Sequence, residues 1–392
     1  MKVLIINSVC GRQSTGRIAT GIQDVLISNG HKCIIAYGEK NSIVKKTDYR
    51  IGNEIDRYFH ALSTRVFDNT GFCSKRVTKK FVKFIESYNP DVIHIHNLHG
   101  YYINIKILFE FLKKYNRPII WTLHDCWAFT GHSAYCDAIG CNKWIDGCNK
   151  CAQVKDYPKS FRDRSKKNWL EKKCLYASGL NMMIVTPSYW LADLVKKSFL
   201  NKYPIKVIHN GIDLNIFKAL KSNIKDEYNI KDKKIILGVA AVWDRRKGLN
   251  DFLKLSKLID DSWRIVLIGI SKDQKKNLPP NILGLYKTDS TKQLAEWYST
   301  ADVFVNPTYE DNYPTVNMEA ISCGTPVITY NTGGSPESLD ANTGIIVKKG
   351  NVEEIFKAIC NLKSSFEFKA NREKHDSHLS IDKYIDLFNE IL

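Results

Sequence analysis

The sequence predicts an α/β fold built from two doubly wound domains. Short apolar runs typical of buried strands, such as Lys2–Asn7 and residues 301–306, alternate along the chain with helical patterns. Polar loops that contain glycine follow several of these runs, as they do where a parallel strand leads into a helix. With 392 residues, the chain is longer than one hydrophobic core normally serves, which favours two domains.

The composition is that of a soluble globular protein, with 44% hydrophobic and 25% charged residues. No apolar run approaches the roughly 18 residues that a membrane-spanning helix needs, and the N-terminal run is too short for a secretory signal. We therefore expect a cytoplasmic protein. Its 11 cysteines are then expected to be thiols or metal ligands rather than disulfides.

The formal net charge of +17 indicates anionic partners. Nucleic acid, an anionic membrane surface and phosphorylated small ligands are the classes that fit this charge. Nucleic acid is disfavoured, because no helix-turn-helix, zinc-finger or RNA-binding aromatic signature accompanies the charge. Peripheral contact with the inner face of the cell membrane is a hypothesis that rests on charge alone.

The chain opens with a strand, a polar loop of residues 8–16, a helical pattern from Arg17 and a second strand, Lys32–Tyr37. A loop that approaches a phosphate or a sugar takes this form. Gly11 and Gly16 lack the spacing of the dinucleotide-binding fingerprint, so no dinucleotide site is predicted.

The loop of residues 97–104 follows a predicted strand and is rich in His, Asn and Tyr. These side chains stack on sugars and form hydrogen bonds with their hydroxyls, which indicates a sugar site. His94, His96 and His99 also suggest a metal site. We disfavour a metal here, because His94 and His96 share one face of a strand.

His124 and Asp125 stand at the end of the strand predicted for residues 118–123. Catalytic groups gather in α/β folds where a parallel strand gives way to a loop, so His124 is a candidate catalytic residue. Asp125 has a second interpretation, as a cap of the segment that follows.

Four cysteines lie in a segment rich in Gly, Asn, Asp and Lys, with the spacing Cys-x4-Cys-x6-Cys-x2-Cys. They are Cys136, Cys141, Cys148 and Cys151. Four thiolates in a loop without a core of its own suit a structural zinc ion, which would supply folding free energy. The alternatives are reduced buried thiols and disulfides formed in vitro.

In the second half of the chain, a predicted strand leads into a loop that contains Arg245, Arg246, Lys247 and Gly248. A cationic loop that enters a helix suits a diphosphate, because free N–H groups and point charges both neutralise an anion. We rank Arg245 above Arg246, because Arg246 is adjacent to Lys247 and could point away from it. The alternative is a solvated basic turn.

Residues 309–334 form the segment around which the rest of the chain is organised. Asp311 lies in a loop and Glu319 on the next helix, with seven residues between them, so the two carboxylates can converge on one ligand. The start of that helix, near residues 314–317, offers backbone N–H groups to an anion. The segment therefore predicts a site that holds a nucleoside diphosphate by its phosphates and sugars.

The ordered set of motifs resembles the retaining glycosyltransferases of family four, which have the GT-B architecture. The acidic pair is similar to the family's acidic-x7-acidic motif, and Lys247-Gly248 to its Lys-Gly pair. Residues 96–102 resemble a loop of family members that build exopolysaccharide. Three positions depart from the family's pattern, where Asp311 replaces Glu, Val242 replaces Arg and His209 replaces Pro. Glu310 is the alternative for the first acid.

The resemblance implies two Rossmann-like domains that face each other across a cleft. The expected N-terminal, acceptor-side domain covers residues 1–213 and carries the Cys-rich insertion at residues 126–155. The nucleotide-sugar-binding domain covers residues 214–375. Residues 376–392 are expected to form a helix that crosses back to the N-terminal domain.

The resemblance also implies a retaining hexosyltransferase without a catalytic cofactor or metal. It would move a sugar from a nucleoside diphosphate sugar to a saccharide or lipid-linked saccharide in surface polysaccharide assembly. The implied catalytic residues are His124, Lys247, Asp311 and Glu319. The implied donor-binding residues are Gly16, Arg245, Arg246, Lys247, Glu310, Asp311, Tyr313, Pro314, Thr315, Val316, Asn317 and Glu319. The implied acceptor-binding residues are Gly11, Arg17, Asn97, His99, Tyr101, Tyr102 and Asp125.

Two alternatives remain open. One is a sugar-nucleotide epimerase or phosphorylase of the same fold. The other is a non-catalytic protein that binds nucleotides or other anions. The donor base, the sugar and the acceptor do not follow from the sequence.

Overall fold

The computed structural model describes residues 1–40, 42–177, 179–362, 368 and 371–392. The chain forms two compact units. The first contains Met1–His209 together with Ser380–Leu392, and the second contains Asn210–Leu379.

The first unit is a parallel sheet covered by helices. Its strands are β1 Lys2–Asn7, β2 Lys32–Tyr37, β3 Tyr49–Arg50, β4 Val92–Ile95, β5 Ile119–Thr122, β6 Met182–Thr186 and β7 Ile205–Val207. Its helices are α1 Gln13–Ser28, α2 Glu54–Phe67, α3 Lys75–Tyr88, α4 Ile105–Tyr115, α5 Ser165–Tyr176 and α6 Tyr189–Lys197. The strand order is β3-β2-β1-β4-β5-β6-β7, and the described pairings are parallel.

The second unit repeats this plan with six strands in the order β10-β9-β8-β11-β12-β13, again paired in parallel. The strands are β8 Lys234–Val239, β9 Trp263–Ile268, β10 Ile282–Leu285, β11 Val303–Asn306, β12 Val327–Tyr330 and β13 Gly344–Val347. The helices are α7 Ile224–Glu227, α8 Leu249–Leu255, α9 Lys272–Lys276, α10 Thr291–Thr300, α11 Thr315–Ser322 and α12 Val352–Leu362. The last helix of the chain is α13 Ser377–Glu390.

The strands are apolar on both sides because each sheet has a hydrophobic core on either face. Leu4 and Ile6 of β1 belong to one core of the first unit, whereas Val3 and Ile5 belong to the other. The second unit has the same arrangement, with its two cores on opposite sides of β8. The predicted α/β fold with two doubly wound sheets is confirmed.

The C-terminal helix completes a core of the first unit. Its buried residues pack in the same cluster as Val3 and Ile5, and they are Ile381, Tyr384, Leu387 and Phe388. The hydroxyl of Tyr384 also lies 3.1 Å from Oγ1 of Thr122 at the end of β5. The chain therefore returns to its first unit, as the resemblance implies.

Helix α1 begins earlier than predicted, at Gln13 rather than Arg17. The run of polar residues before Arg17 suggested a loop. The side chains of Gln13 and Ser14 are exposed, however, and the first turn of a helix needs no apolar residue where it faces solvent. Gly16 and Arg17 therefore both lie inside α1.

Among the helices that the structure describes, none combines the length and the apolar character needed to cross a bilayer.

Candidate active site

In each sheet the strand order reverses at one pair of neighbours, β1 and β4 in the first unit and β8 and β11 in the second. Open α/β sheets bind ligands beyond the carboxyl ends of the strands at such a point. The loop after β8 carries Lys247, and the loop after β11 carries Asp311. The loop after β4 carries Asn97 and His99. These four predicted residues therefore lie at the switch points of the two sheets.

Lys247 and Asp311 form an ion pair, with Lys247 Nζ 2.5 Å from Asp311 Oδ2. The two side chains are 20% and 21% exposed, so solvent screens the pair only in part. Burial by itself would raise the pKa of Asp311, but the charges of Lys247 and Arg246 and the hydrogen bond from Lys247 lower it overall. Asp311 is therefore ionised at neutral pH.

Arg246 joins the loop after β8 to the loop after β11. Its Nη1 donates to the backbone carbonyl of Glu310 at 2.8 Å, and its own carbonyl accepts from the N–H of Tyr309 at 2.7 Å. Arg245 is exposed to solvent. The expectation that Arg246 points away from Lys247 is wrong, because the turn directs both side chains to the loop of Glu310 and Asp311.

Two glycines allow the backbone to approach closely at this site. Gly248 has φ +76°, and a Cβ atom there would lie 2.2 Å from the carbonyl oxygen of Pro307. Gly333 has φ +57°, and a Cβ atom there would lie 2.1 Å from the carbonyl oxygen of Asp311. Gly334 donates its N–H to that same oxygen at 2.9 Å. Glycine at 248 and 333 therefore fixes the positions of the loops that carry Lys247 and Asp311.

Helix α11 carries Glu319 and begins beside the acidic loop. Glu319 is 3% exposed, and its Oε2 accepts a hydrogen bond of 3.0 Å from the Tyr298 hydroxyl of α10. Pro314 is the N-cap and has no side-chain acceptor for the first N–H groups of the helix. Thr315 and Val316 follow it and are partly exposed.

Two residues predicted to bind the donor have side chains with structural roles. Asn317 is fully buried, and its side-chain amide forms hydrogen bonds with Asn306, Ser335 and Ser338 at 2.9–3.1 Å. Tyr313 is 8% exposed and belongs to a core of the second unit. Internal packing and hydrogen bonding occupy both side chains, so the predicted contact of this segment with a donor rests on backbone N–H groups at the start of the helix.

In the first unit, His124 is paired with a second histidine. His124 Nε2 lies 2.8 Å from Nδ1 of His96, the residue directly after β4. Burial lowers the pKa of His124 to about 4, and burial, His94 and His124 lower the pKa of His96 well below its usual value. Both rings are therefore neutral at pH 7, and an N–H of one ring donates a hydrogen bond to the unprotonated nitrogen of the other.

His99 links the loop after β4 to two other segments. Its Nε2 lies 2.8 Å from Asp125 Oδ2, and its Nδ1 lies 2.9 Å from the Tyr157 hydroxyl. Burial by itself would raise the pKa of Asp125, but His99 and the N–H of Trp127 lower it overall. Asp125 Oδ1 accepts that N–H at 2.9 Å, so Asp125 also caps the segment that follows.

The side chains of the loop of residues 97–104 differ in exposure. Asn97 and Tyr101 are partly exposed. Tyr102 is 2% exposed, and its hydroxyl donates to the carbonyl of Asn97 at 2.7 Å. A Cβ atom on Gly38 would lie 2.4 Å from the Cβ of Tyr102. The prediction that Tyr102 contacts an acceptor is corrected, because its ring fills the core.

A glycine of the loop after β1 is held to a glycine in the first turns of α1. Gly11 donates its N–H to the carbonyl of Gly16 at 3.1 Å. A Cβ atom on Gly11 would lie 2.6 Å from the carbonyl oxygen of Ile43. Arg17 is exposed on α1.

The four cysteines of the insertion are free thiols, Cys136 buried and the others partly buried. Burial raises the pKa of Cys148 to about 12 and that of Cys151 to about 11. Within the described ranges, no three His, Cys, Asp or Glu side chains are grouped as a metal ion requires. The zinc site stays a prediction.

The expectation that the insertion lacks a core is wrong. Trp144 is 2% exposed, and its ring lies 5.0 Å from that of Phe129. Trp169 of α5 is 3% exposed and donates its indole N–H to the carbonyl of Trp144 at 2.9 Å. Lys172 is also buried, and its Nζ donates to the carbonyl of Trp127 at 2.6 Å. Residues distant in sequence therefore hold this segment.

Three contacts of the predicted residues were missed by sequence analysis. His96 was considered there only as a possible metal ligand and as part of residues 96–102, although the pairing of β4 with β5 could have placed it beside His124. Tyr157 and Tyr298 reach His99 and Glu319 from other segments, and no local pattern marks them.

Comparison with protein-family models identifies the class first. The model of the group 1 glycosyl transferases matches residues 221–375. The model of Glycosyltransferase Family 4 matches residues 21–216. The chain therefore belongs to glycosyltransferase family 4, and the resemblance seen in its motifs is confirmed.

Individual relatives are distant in sequence. "Putative colanic acid biosynthesis glycosyl transferase WcaC" of Escherichia coli (strain K12) is 24% identical over 92% of this chain and 90% of that protein. "N,N'-diacetylbacillosaminyl-diphospho-undecaprenol alpha-1,3-N-acetylgalactosaminyltransferase" of Campylobacter jejuni is 23% identical over 51% of this chain and 58% of that protein. Anabaena HepE, solved in complex with UDP-glucose, aligns with a TM-score of 0.65 at 13% identity, over 100% of this chain and 98% of that one. The structural likeness establishes the GT-B fold.

Proposed function

We propose that this glycosyltransferase moves a hexose, with retention of anomeric configuration, from a nucleoside diphosphate sugar to a saccharide or lipid-linked saccharide. The observation that carries the proposal is the Lys247–Asp311 pair at the switch point of the second sheet. In this pair Lys247 can neutralise a diphosphate, and Asp311 beside it can accept hydrogen bonds from a sugar. The names of the relatives support surface polysaccharide or glycolipid assembly as the process, and the HepE complex supports a nucleoside diphosphate hexose as donor.

On the donor side, Lys247 neutralises the diphosphate, and Arg246 adds charge from the same turn. Asp311 accepts hydrogen bonds from hydroxyls of the donor sugar, with Glu310 as the alternative. Glu319, held by the Tyr298 hydroxyl, accepts hydrogen bonds from the ribose hydroxyls. The start of α11 presents N–H groups to a phosphate.

The reaction we propose is a front-face displacement. The bond between the anomeric carbon and the diphosphate oxygen breaks, and a bond to the acceptor oxygen forms on the same face. The proton of the acceptor hydroxyl passes to the departing diphosphate, so the protein supplies no strong base. Its contribution is positioning and stabilisation of the charge on the diphosphate, without a metal ion.

On the acceptor side, neutral His124 hydrogen-bonds to a hydroxyl of the reacting sugar, and His96 fixes the orientation of its ring. His99 and Asp125 form a polar pair suited to acceptor hydroxyls, with Tyr101 available to stack on a sugar face.

The test is release of nucleoside diphosphate from a panel of UDP- and GDP-sugars with a saccharide acceptor, with the product anomer read by NMR. Lys247→Ala should lower turnover by about 10²–10³-fold. The control is Lys272→Ala, which replaces an exposed lysine of α9. Near-normal turnover of Lys247→Ala, or a product of inverted configuration, would overturn the proposal.

A further inference from the structure

Helix α2 exposes its apolar residues and buries polar ones. His60 and Thr64 are its buried residues. Ile55, Phe59 and Leu62 are 67%, 62% and 46% exposed, and they recur at the spacing of one helix face. An amphipathic helix of a globular protein normally shows the reverse arrangement, with its apolar stripe facing a core.

Neighbouring side chains extend this exposed face. Tyr58 and Phe67 of α2 are 66% and 50% exposed. Phe161, at 80% exposure, lies beside the end of the helix, because its N–H donates to the carbonyl of Arg65 at 2.7 Å. We call the set of Ile55, Tyr58, Phe59, Leu62, Phe67 and Phe161 the α2 face. Contiguous exposed apolar surface of this kind marks an interaction site.

Cations border the α2 face. Arg65 lies 5.9 Å from the ring centroid of Phe161, and Arg162 lies 5.5 Å from that of Phe67. The first turn of α3 adds exposed Lys75 and Arg76, and it is held to α2 by the hydrogen bond between His60 and Ser74.

The acidic residues of α2 are already engaged. Glu54 contacts Arg50 and Arg57, and Asp56 accepts the N–H of Asn53 in a capping box. Asp56 keeps its charge but is outnumbered by Arg65, Arg162, Lys75 and Arg76, so the charge around the exposed apolar side chains is positive.

We propose that the α2 face binds the surface of an anionic lipid membrane. Aromatic and aliphatic side chains enter the boundary between headgroups and acyl chains, while arginine and lysine contact lipid phosphates. A second copy of the chain is a poorer occupant, because each copy would bring the same bordering cations and a net charge of +17.

The opposite side of α2 faces the acceptor-side loop. The ring of His60 lies 5.9 Å from that of Tyr101, which lies 6.5 Å from the ring of Tyr157, the partner of His99. If the proposed function holds, a membrane at the α2 face would lie near the residues suited to acceptor hydroxyls. The substrate class favoured by this geometry is then a saccharide anchored in the membrane by a lipid.

The experiment is flotation of the full chain with vesicles of phosphatidylcholine, with or without phosphatidylglycerol. The wild type should float with the phosphatidylglycerol vesicles. The double variant F59Q/L62Q should lose at least about tenfold in vesicle affinity, because two apolar side chains no longer leave water. Leu392→Gln, which replaces a residue also 62% exposed, should float as the wild type does.

Circular dichroism should show equal helix content in all variants. Absence of the wild type from the floating fraction, or equal flotation of F59Q/L62Q, would overturn the proposal. A wild-type dimer that F59Q/L62Q converts to monomer would assign the face to a second copy and also overturn it. The assay contains no sugar nucleotide, so Lys247→Ala should float as the wild type does. Failure of the proposed glycosyl transfer can therefore be told apart from failure of membrane binding.

Discussion

Lys247 Nζ lies 2.5 Å from Oδ2 of Asp311, and the pair is about four-fifths buried. The two groups come from loops after neighbouring strands, β8 and β11. In the proposed reaction, the diphosphate of the donor competes with Asp311 for Lys247. The carboxylate therefore has opposite effects on the binding of the diphosphate and on the transfer of the sugar.

Asp311→Asn should separate these effects. Removing the negative charge should leave the affinity for a nucleoside diphosphate unchanged or tighter, because Lys247 no longer has an anionic partner. Turnover should fall by about 10²-fold, because the sugar loses a charge-assisted hydrogen bond. Calorimetry with UDP and GDP, together with turnover measurements, provides the readouts.

Asp273→Asn is the matched control, since the Asp273 side chain is 93% exposed. Weaker binding of UDP and GDP by Asp311→Asn than by the control would contradict the competition between carboxylate and diphosphate.

Gly248→Ala should impair donor binding although it removes no charged side chain. The new Cβ would meet the Pro307 carbonyl oxygen at 2.2 Å in a backbone with φ +76°, so the turn that carries Lys247 must move. We expect a loss of donor affinity of about tenfold or more, since a shift of about 1 Å in a positioned group is costly. Gly140→Ala has a comparable φ of +64° with nothing within 4 Å of its Cβ, and it should keep donor affinity.

His96 should act as a positioning residue for His124. His96→Leu removes the atom 2.8 Å from His124 Nε2, and we expect turnover to fall by about 10–100-fold with a smaller change in KM. His96→Asn places an amide near the former Nδ1 and should recover much of this loss. Equal losses in His96→Leu and His96→Asn would indicate a packing role.

Buried histidines should make the first unit sensitive to acid. Burial lowers the pKa of His60 and His94 to about 3 and that of His124 to about 4, from an ordinary value of 6.5. The unfolded chain therefore takes up protons first as the pH falls. The contribution of these three neutral rings to stability is complete above pH 6.5, the ordinary pKa of histidine. It declines as the pH falls from there towards the pKa values of the folded state.

Calorimetric Tm values should therefore be lower at about pH 5 than at about pH 7.5. An equal Tm at both values would contradict the assignment of these rings as neutral. Protonation of His124 itself should not limit turnover between about pH 6 and 8, because its pKa is near 4.

The insertion should depend on its buried tryptophans. Trp144→Ala should lower the free energy of unfolding by about 3–5 kcal/mol, because it empties a buried site. The zinc site predicted from the cysteine spacing has a separate test. Stoichiometric zinc in the purified, reduced protein, together with a lower Tm after chelation, would confirm that site, whereas an unchanged Tm would contradict it.

Local patterns were sufficient to predict the alternating strands and helices and to place Lys247, Asp311 and His124 at strand ends. These features depend on residues close together in the chain. The partners of these groups were harder to predict, because they come from other segments, as Tyr157 does for His99. The structural role of the Asn317 side chain was missed for a related reason, since its hydrogen bonds go to residues after the next strand.

The insertion shows the same limit. Its composition suggested a loop without a core, yet Trp169, on the helix that follows the insertion, packs with Trp144. The exposure of the apolar side of α2 was also beyond sequence analysis. Its apolar spacing fits a helix that faces a core, and only the structure shows that this side meets solvent.

The packing of α13 has a consequence for how the protein is made. Residues between Ile381 and Phe388 fill a core that otherwise consists of parts of residues 1–208. During synthesis, residues 1–208 emerge from the ribosome long before Ile381–Phe388 are translated, and domains normally begin to fold as they emerge. Until the second unit has been synthesised, the part of the core that α13 fills should therefore remain an exposed apolar groove in the first unit. During that interval the nascent chain should be a client for chaperones.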